Sequence, residues 1–196
     1  QHSQSVESFF LHIPGIKVVI PSNPADAKGL LKSAIRDDNP VIYFEHKKLF
    51  SMKGDVPEGE FVTPIGKAKV VREGSDVTLI SYSMTMNLAS EAAQILEKEG
   101  ISVELIDLRT ISPIDKETIL NSVAKTSRLA IAHEAVKQGG VGAEIAAIVS
   151  EEAIDCLDAP IVRVGAPFTP VPFARPLEKA YRITPEKIAD AVRKMQ

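Results

Sequence analysis

The side chains able to move protons or bind metals are few in this 196-residue chain: four histidines, one cysteine and carboxylates spread along its length. His2, His12, His46 and His133 lie far apart, with no His-Glu-x-x-His pair and no Cys/His spacing, so they lack the local ligand sets that zinc sites use. His133-Glu134 ends an expected strand, the place where open α/β sheets bind ligands; the plainer reading is a core or rim histidine satisfied by its neighbours. Gly139-Gly140-Val141-Gly142 precedes an expected helix and can turn backbone N–H groups toward a phosphate. It lacks both the dinucleotide fingerprint and the P-loop lysine, which leaves glycines permitting a tight strand-to-helix turn. Asp107-Leu108-Arg109, followed by Pro113 and Asp115, puts charges just after a strand and reads as a buried Arg–Asp pair fixing a loop. Cys156, the only cysteine, permits no internal disulfide and is expected as a small buried hydrophobe on a helix.

The elements that must position these groups alternate between short β-branched runs and helical periods, the pattern of an α/β fold with a largely parallel sheet. Strands are expected at Lys17–Ile20, Val41–Phe44, Val77–Ser81, Val103–Asp107, Leu129–His133 and Ile161–Val164. Asn23-Pro24-Ala25-Asp26 supplies a cap, a proline for the first helical position and an acid for the positive helix end. Ala27, Leu30, Leu31, Ala34 and Ile35 then predict one face packed on the sheet, and Asn39-Pro40 ends the helix. Further helices are expected at Met84–Lys98, Asp115–Val123 and Gly142–Cys156. A last one, capped by Thr184-Pro185-Glu186, should bury Ile188, Ala191, Val192 and Met195.

Between Phe50 and Pro64 the pattern breaks into a proline- and glycine-bearing stretch that reads as a linker. The part before it has two strands and too little else to bury a sheet, so its other half is expected upstream. Hydrophobic residues make up 44% and charged residues 25%, with net charge −3, the make-up of a globular protein with one or two domains. No run of five like charges occurs, so nucleic acid is not an expected partner. No apolar stretch approaches the roughly 18 residues of a membrane span, and residues 1–14 lack the order of a signal peptide. The proline-rich Ala166–Phe173 segment is rigid and apolar enough to cover the core or join a subunit interface.

Taken together, several segments carry a resemblance. Gln1-His2-Ser3-Gln4-Ser5, Ile13-Pro14-Gly15-Ile16-Lys17-Val18-Val19, Pro21-Ser22-Asn23-Pro24 and Asp26-Ala27-Lys28-Gly29-Leu30-Leu31 resemble the beta subunit of thiamine diphosphate-dependent 2-oxo acid and acetoin dehydrogenases. Ala34-Ile35-Arg36-Asp37, Glu73-Gly74, Asp107-Leu108-Arg109-Thr110 with Pro113, Glu134 with Gly139-Gly140, and Pro170-Val171-Pro172-Phe173 follow in the family's order. The resemblance implies an α/β fold in which a partial pyrimidine-binding-type domain (residues 1–50) and a linker (51–63) precede a transketolase C-terminal-type domain (64–196). That last domain should hold a mostly parallel sheet flanked by helices.

It also implies a transketolase-like α2β2 enzyme of the cytoplasm, or of the mitochondrial matrix in a eukaryote. Thiamine diphosphate would be shared with an alpha subunit, which also holds magnesium, and the acyl unit would pass to a lipoyl group. The expected partners are that alpha subunit, a second beta subunit and the binding domain of a lipoyl acyltransferase. His2 would face the cofactor's reactive carbon as the catalytic residue, and the glutamate that activates the cofactor would lie upstream. A potassium ion would sit at the helix end near Ala34, Ile35, Asp37 and Asn39, where the last carbonyls lack helical partners. Pro21–Pro24, Met52–Glu58 and Thr169–Phe173 look closest to acetoin dehydrogenases, with pyruvate and branched-chain 2-oxo acids as alternatives. A non-catalytic dimerisation and docking module, and a single-chain transketolase or deoxyxylulose phosphate synthase, are the competing readings.

Overall fold

The computed structural model describes residues 2–195, so Gln1 of the opening motif and Gln196 at the end of the 64–196 span fall outside it. In chain order the elements are α1 (Ser8–Leu11), β1 (Lys17–Val19), α2 (Pro24–Arg36), β2 (Val41–Tyr43), β3 (Lys69–Arg72), β4 (Val77–Ser81), α3 (Ser83–Lys98), β5 (Val103–Asp107) and β6 (Thr110–Ser112). There follow α4 (Lys116–Thr126), β7 (Leu129–Val136), α5 (Val141–Glu152), β8 (Val162–Ala166), α6 (Arg175–Tyr181) and α7 (Pro185–Arg193). The expected strands and helices are all present, and β3, β6, α1 and α6 are additions.

Five strands in the order β3-β5-β4-β7-β8 form the main sheet, parallel except for the antiparallel edge β3. Side chains alternate across it, as a pleated sheet covered on both faces requires. Leu79, Leu105 and Ala130 face a core built with α3 and α7, whereas Ile80, Ile106 and Ile131 face one built with Ile119, Val123, Ile145 and Val149 of α4 and α5. The second core runs on without a break into Val18, Ile20 and Ile111. Its continuation is a three-stranded sheet, β2-β1-β6, in which β6 pairs antiparallel with β1. The short first segment thus borrows a strand and a core from the rest of the chain.

Helix α2 starts as its sequence dictates: Asn23 Oδ1 accepts from Asp26 N at 2.9 Å, and Asn23 Nδ2 returns a bond to Asp26 Oδ2 at 2.7 Å. The expected buried stripe is corrected, because Leu31 is 45% and Ile35 75% exposed. The buried positions are Asp26, Gly29 and Leu30. The reason is that α2 is covered less by its narrow sheet than by residues 51–68, which contain neither helix nor strand and are tied along the helix. Ser33 Oγ donates to the Thr63 carbonyl at 2.6 Å and Lys28 Nζ to that of Pro57 at 2.6 Å. A Cβ on Gly29 would stand 2.2 Å from Thr63 Oγ1, so only glycine admits this approach.

One other expectation is corrected. Helix α5 stops at Glu152, and Cys156 sits half-buried in a separate turn over Ile154–Cys156. In the proline-rich segment Ala166 is buried, whereas Phe168 and Phe173 project into solvent. Among the described residues no helix is long and apolar enough to cross a membrane.

Candidate functional site

In the main sheet the chain leaves β4 toward β5 on one side and reaches β7 on the other, which opens a crevice at the carboxyl ends of these strands, the usual ligand position in such sheets. The groups at those ends are Tyr82 after β4, Asp107 at the end of β5 and Arg109 beyond it, and His133 and Glu134 late in β7. Residues 2–50 lie across all of them.

Asp107 and Arg109 take partners from the first segment. Ser22 Oγ donates to Asp107 Oδ2, Arg109 N donates to Asp107 Oδ1 at 3.2 Å, and an Arg109 guanidinium nitrogen meets Asp26 Oδ1 at 2.9 Å. Arg109 holds a left-handed backbone (φ 58°), and its carbonyl accepts from Ile20 N at 2.8 Å. Burial pushes the Asp107 carboxyl up to about 6; the Ser22 hydrogen bond opposes that shift and the charge of Asp26 adds to it. The buried Arg–Asp pair exists as expected, but its carboxylate comes from Asp26, 83 residues earlier than Arg109 (109 less 26), and not from the loop itself.

His133 is fully buried, its ring stacked on Tyr82 at 6.1 Å, with Nδ1 3.1 Å from the Ala135 carbonyl. Burial lowers its pKa, so it is a neutral core imidazole with Nδ1–H donating and Nε2 buried without a partner. It touches no cleft. Gly140 and Gly142 approach its ring so closely that a Cβ on either would meet it at 2.8 Å, which is the use of that glycine run. Glu134 points outward instead and accepts from His46 Nε2 at 2.7 Å, while His46 Nδ1 accepts from Lys48 N at 3.2 Å. Both nitrogens of His46 are therefore engaged, and its hydrogen bond holds the Glu134 carboxyl below the ordinary carboxylate range.

His2 is exposed, with its backbone in the left-handed region at φ 58°. With Ser3, Gln4 and Ser5 it lines two open clefts of about 210 and 410 Å³, and both also include His46 and Glu134. The ring is not held in an apolar interior. Hydroxyls, an amide and an imidazole–carboxylate pair form its surroundings, a donor set suited to hydrogen bonding and proton transfer at a bound carbonyl or carbon acid.

Of the four residues expected near a cation, Ala34 and Ile35 lie in the last turn of α2, and Asp37 and Asn39 follow it. Asp37 N donates to the Ala34 carbonyl at 3.4 Å, and Asn39 N and Nδ2 donate to Asp37 Oδ1 at 2.9 and 3.0 Å. Lys17 Nζ lies 2.5 Å from Asp37 Oδ2, and these bonds, that of Lys17 first, lower the Asp37 carboxyl to about 2. The carboxylate is thus already paired with Lys17. Among the described residues no three histidine, cysteine or acidic side chains gather to hold a metal ion.

The contacts that close the cleft escape sequence reasoning. Glu7 and Tyr82 carry no motif, and Ser22 and Asp26 read only as parts of the helix start and of the segments carrying the resemblance. Their partners lie 75 to 88 positions away in the contacts Tyr82–Glu7, Asp107–Ser22 and His46–Glu134.

Residues 1–53 match the transketolase pyrimidine binding domain and residues 66–188 the transketolase C-terminal domain. The 2-oxoisovalerate dehydrogenase subunit beta of Bacillus subtilis is 47% identical over 99% of this chain and 60% of its own length. The acetoin:2,6-dichlorophenolindophenol oxidoreductase subunit beta of the same organism is 50% identical over 96% and 55%, respectively. The mitochondrial pyruvate dehydrogenase E1 component subunit beta of Dictyostelium discoideum is 49% identical over 100% and 56%. The chain therefore spans between 55% and 60% of these relatives. A solved split gene transketolase, described as an inactive beta4 tetramer, superposes with a TM-score of 0.80 at 27% identity over 96% of this chain and 60% of that one. A mostly parallel sheet with helices on both faces, a shared core with the segment before it and these matches together show that the chain belongs to the transketolase family, with a transketolase C-terminal domain following a stretch of pyrimidine-binding domain.

Proposed function

We propose that the chain works within the beta subunit of a thiamine diphosphate-dependent dehydrogenase component that cleaves acetoin or a 2-oxo acid and passes the acyl unit to lipoamide. In this reading residues 1–50 carry the cofactor-facing side, 51–63 the linker and 64–196 the pairing and docking domain. The observation that supports it is the exposed imidazole of His2 in an open cleft walled by both parts of the chain. The beta-subunit names of the relatives point the same way.

Thiamine diphosphate, when bound, supplies the nucleophilic carbon and the electron sink for bond cleavage. The chain's own part is acid–base chemistry and enclosure. An imidazole can take or give a proton near neutral pH, and we assign that task to His2. His46, with both nitrogens engaged, braces the cleft wall through Glu134. The alpha subunit would complete the pocket and hold magnesium, and a second beta subunit and a lipoyl acyltransferase would be the further partners. The setting would be the bacterial cytoplasm or the mitochondrial matrix.

Relatives acting on 2-oxoisovalerate, acetoin and pyruvate are 47–50% identical, so identity does not separate the substrates. We favour acetoin on Pro21–Pro24, Met52–Glu58 and Thr169–Phe173. The full-length beta subunit assembled with its alpha partner should turn over acetoin with a higher kcat/KM than pyruvate or 3-methyl-2-oxobutanoate. Preference for either other substrate reassigns it within the family, and no thiamine-dependent turnover of any of the three overturns the proposal.

Potassium is proposed, on the family resemblance, at the helix end formed by Ala34, Ile35, Asp37 and Asn39. The assembled protein should then melt several degrees higher in potassium than in tetramethylammonium at equal ionic strength, because a ligand bound only to the folded state stabilises it. Equal melting temperatures contradict the site.

A further inference from the structure

We propose that Glu7 and Tyr82 are positioning residues that set His2 in its cleft through Ser5, so that the C-terminal domain helps to build the active site; this rests on the reading of His2 given above. Residues 2–6 form no helix or strand. His2 nevertheless holds φ 58°, a conformation that is costly for a non-glycine residue and persists only where its surroundings fix it.

The fixing contact is a chain of two hydrogen bonds. Ser5 Oγ donates to Glu7 Oε2 at 2.7 Å, and Tyr82 Oη donates to Glu7 Oε1 at 2.7 Å. Its far end is immobile: Glu7 is 1% and Tyr82 2% exposed, and the Tyr82 ring is stacked on the buried His133. Glu7 fills the crevice at the ends of β4 and β7, where an open α/β sheet would bind a ligand. No salt bridge to Glu7 occurs among the described residues. A carboxyl buried without a cation is expensive, and an apolar side chain of the same size would fill the space at lower cost. What the carboxyl offers that an apolar group does not is two acceptors, one for the domain and one for the segment bearing His2.

The test is a mutant cycle in the full-length assembled enzyme. Tyr82→Phe and Glu7→Leu should each lower kcat about tenfold, the size of loss that a small misplacement of a reacting group brings, with KM nearly unchanged. Glu7→Gln, which keeps one acceptor and replaces the other by an N–H donor that a rotated hydroxyl can accept from, should restore most of the loss. In a His2→Ala background Tyr82→Phe should cost less than about twofold, because a residue acting through His2 has nothing left to position. Ser5→Ala breaks the same chain from its half-buried end and gives the readout if Tyr82→Phe fails to assemble. Wild-type kcat in all these variants overturns the proposal. So does a tenfold loss that persists undiminished without His2, since that marks a plain staple. If His2→Ala by itself keeps full turnover, the functional reading fails first and takes this one with it.

Discussion

Replacing Arg109 by leucine should lower the free energy of unfolding by about 3–5 kcal/mol, the cost of breaking a buried ion pair from one side. The guanidinium is 14% exposed and its partner Asp26 is 3% exposed, so water cannot replace it. Asp107 adds a second buried carboxyl close by, which Arg109 caps through its backbone N–H. The loss should depend on pH with a definite sign. The folded-state carboxyl of Asp107 sits at about 6 against an ordinary 3.8. Between those values the folded chain binds more protons than the unfolded one, so its contribution to stability is lost as pH rises through the window. Without the guanidinium the upward push on the buried carboxyls grows, and the variant should lose more stability at pH 8 than at pH 5. Urea unfolding at both pH values measures it. A loss below about 1 kcal/mol, or one equal at both, would mean that Arg109 is not the counter-charge described.

The same cluster shows what a sequence can and cannot disclose. Strands β4 and β5 match their expected bounds because both faces are covered and every residue of both is buried. Helix α2 begins where Asn23 and Pro24 say it must, since capping is a contact within three residues. Edge strand β3 goes unread because Lys69 and Arg72 bracket only two valines. Strand β6 has three residues and exists through its pairing with β1, more than 90 positions away (112 less 18), a distance no local pattern encodes. Helix α6 buries nothing and so shows no stripe.

In the candidate site, His2 is legible from the order of motifs, and its cleft is not. The cleft depends on four junctions between remote segments: Glu7 with Tyr82, Ser22 with Asp107, Asp26 with Arg109 and His46 with Glu134. Each joins a residue of the first segment to one at or near the carboxyl end of a main-sheet strand. The exposed Leu31 and Ile35 have a related cause: the periodicity of α2 announces an apolar face, while the linker bonds to Asp26 and Ser33 settle which face is covered.

The central claim is that His2 handles a proton in the thiamine diphosphate reaction. The full-length beta subunit carrying His2→Ala, assembled with its alpha partner and saturated with cofactor, should lose about 100-fold or more in turnover with a lipoyl acceptor, the usual share of a general acid–base group, with KM little changed. Wild-type turnover in that variant would contradict the claim.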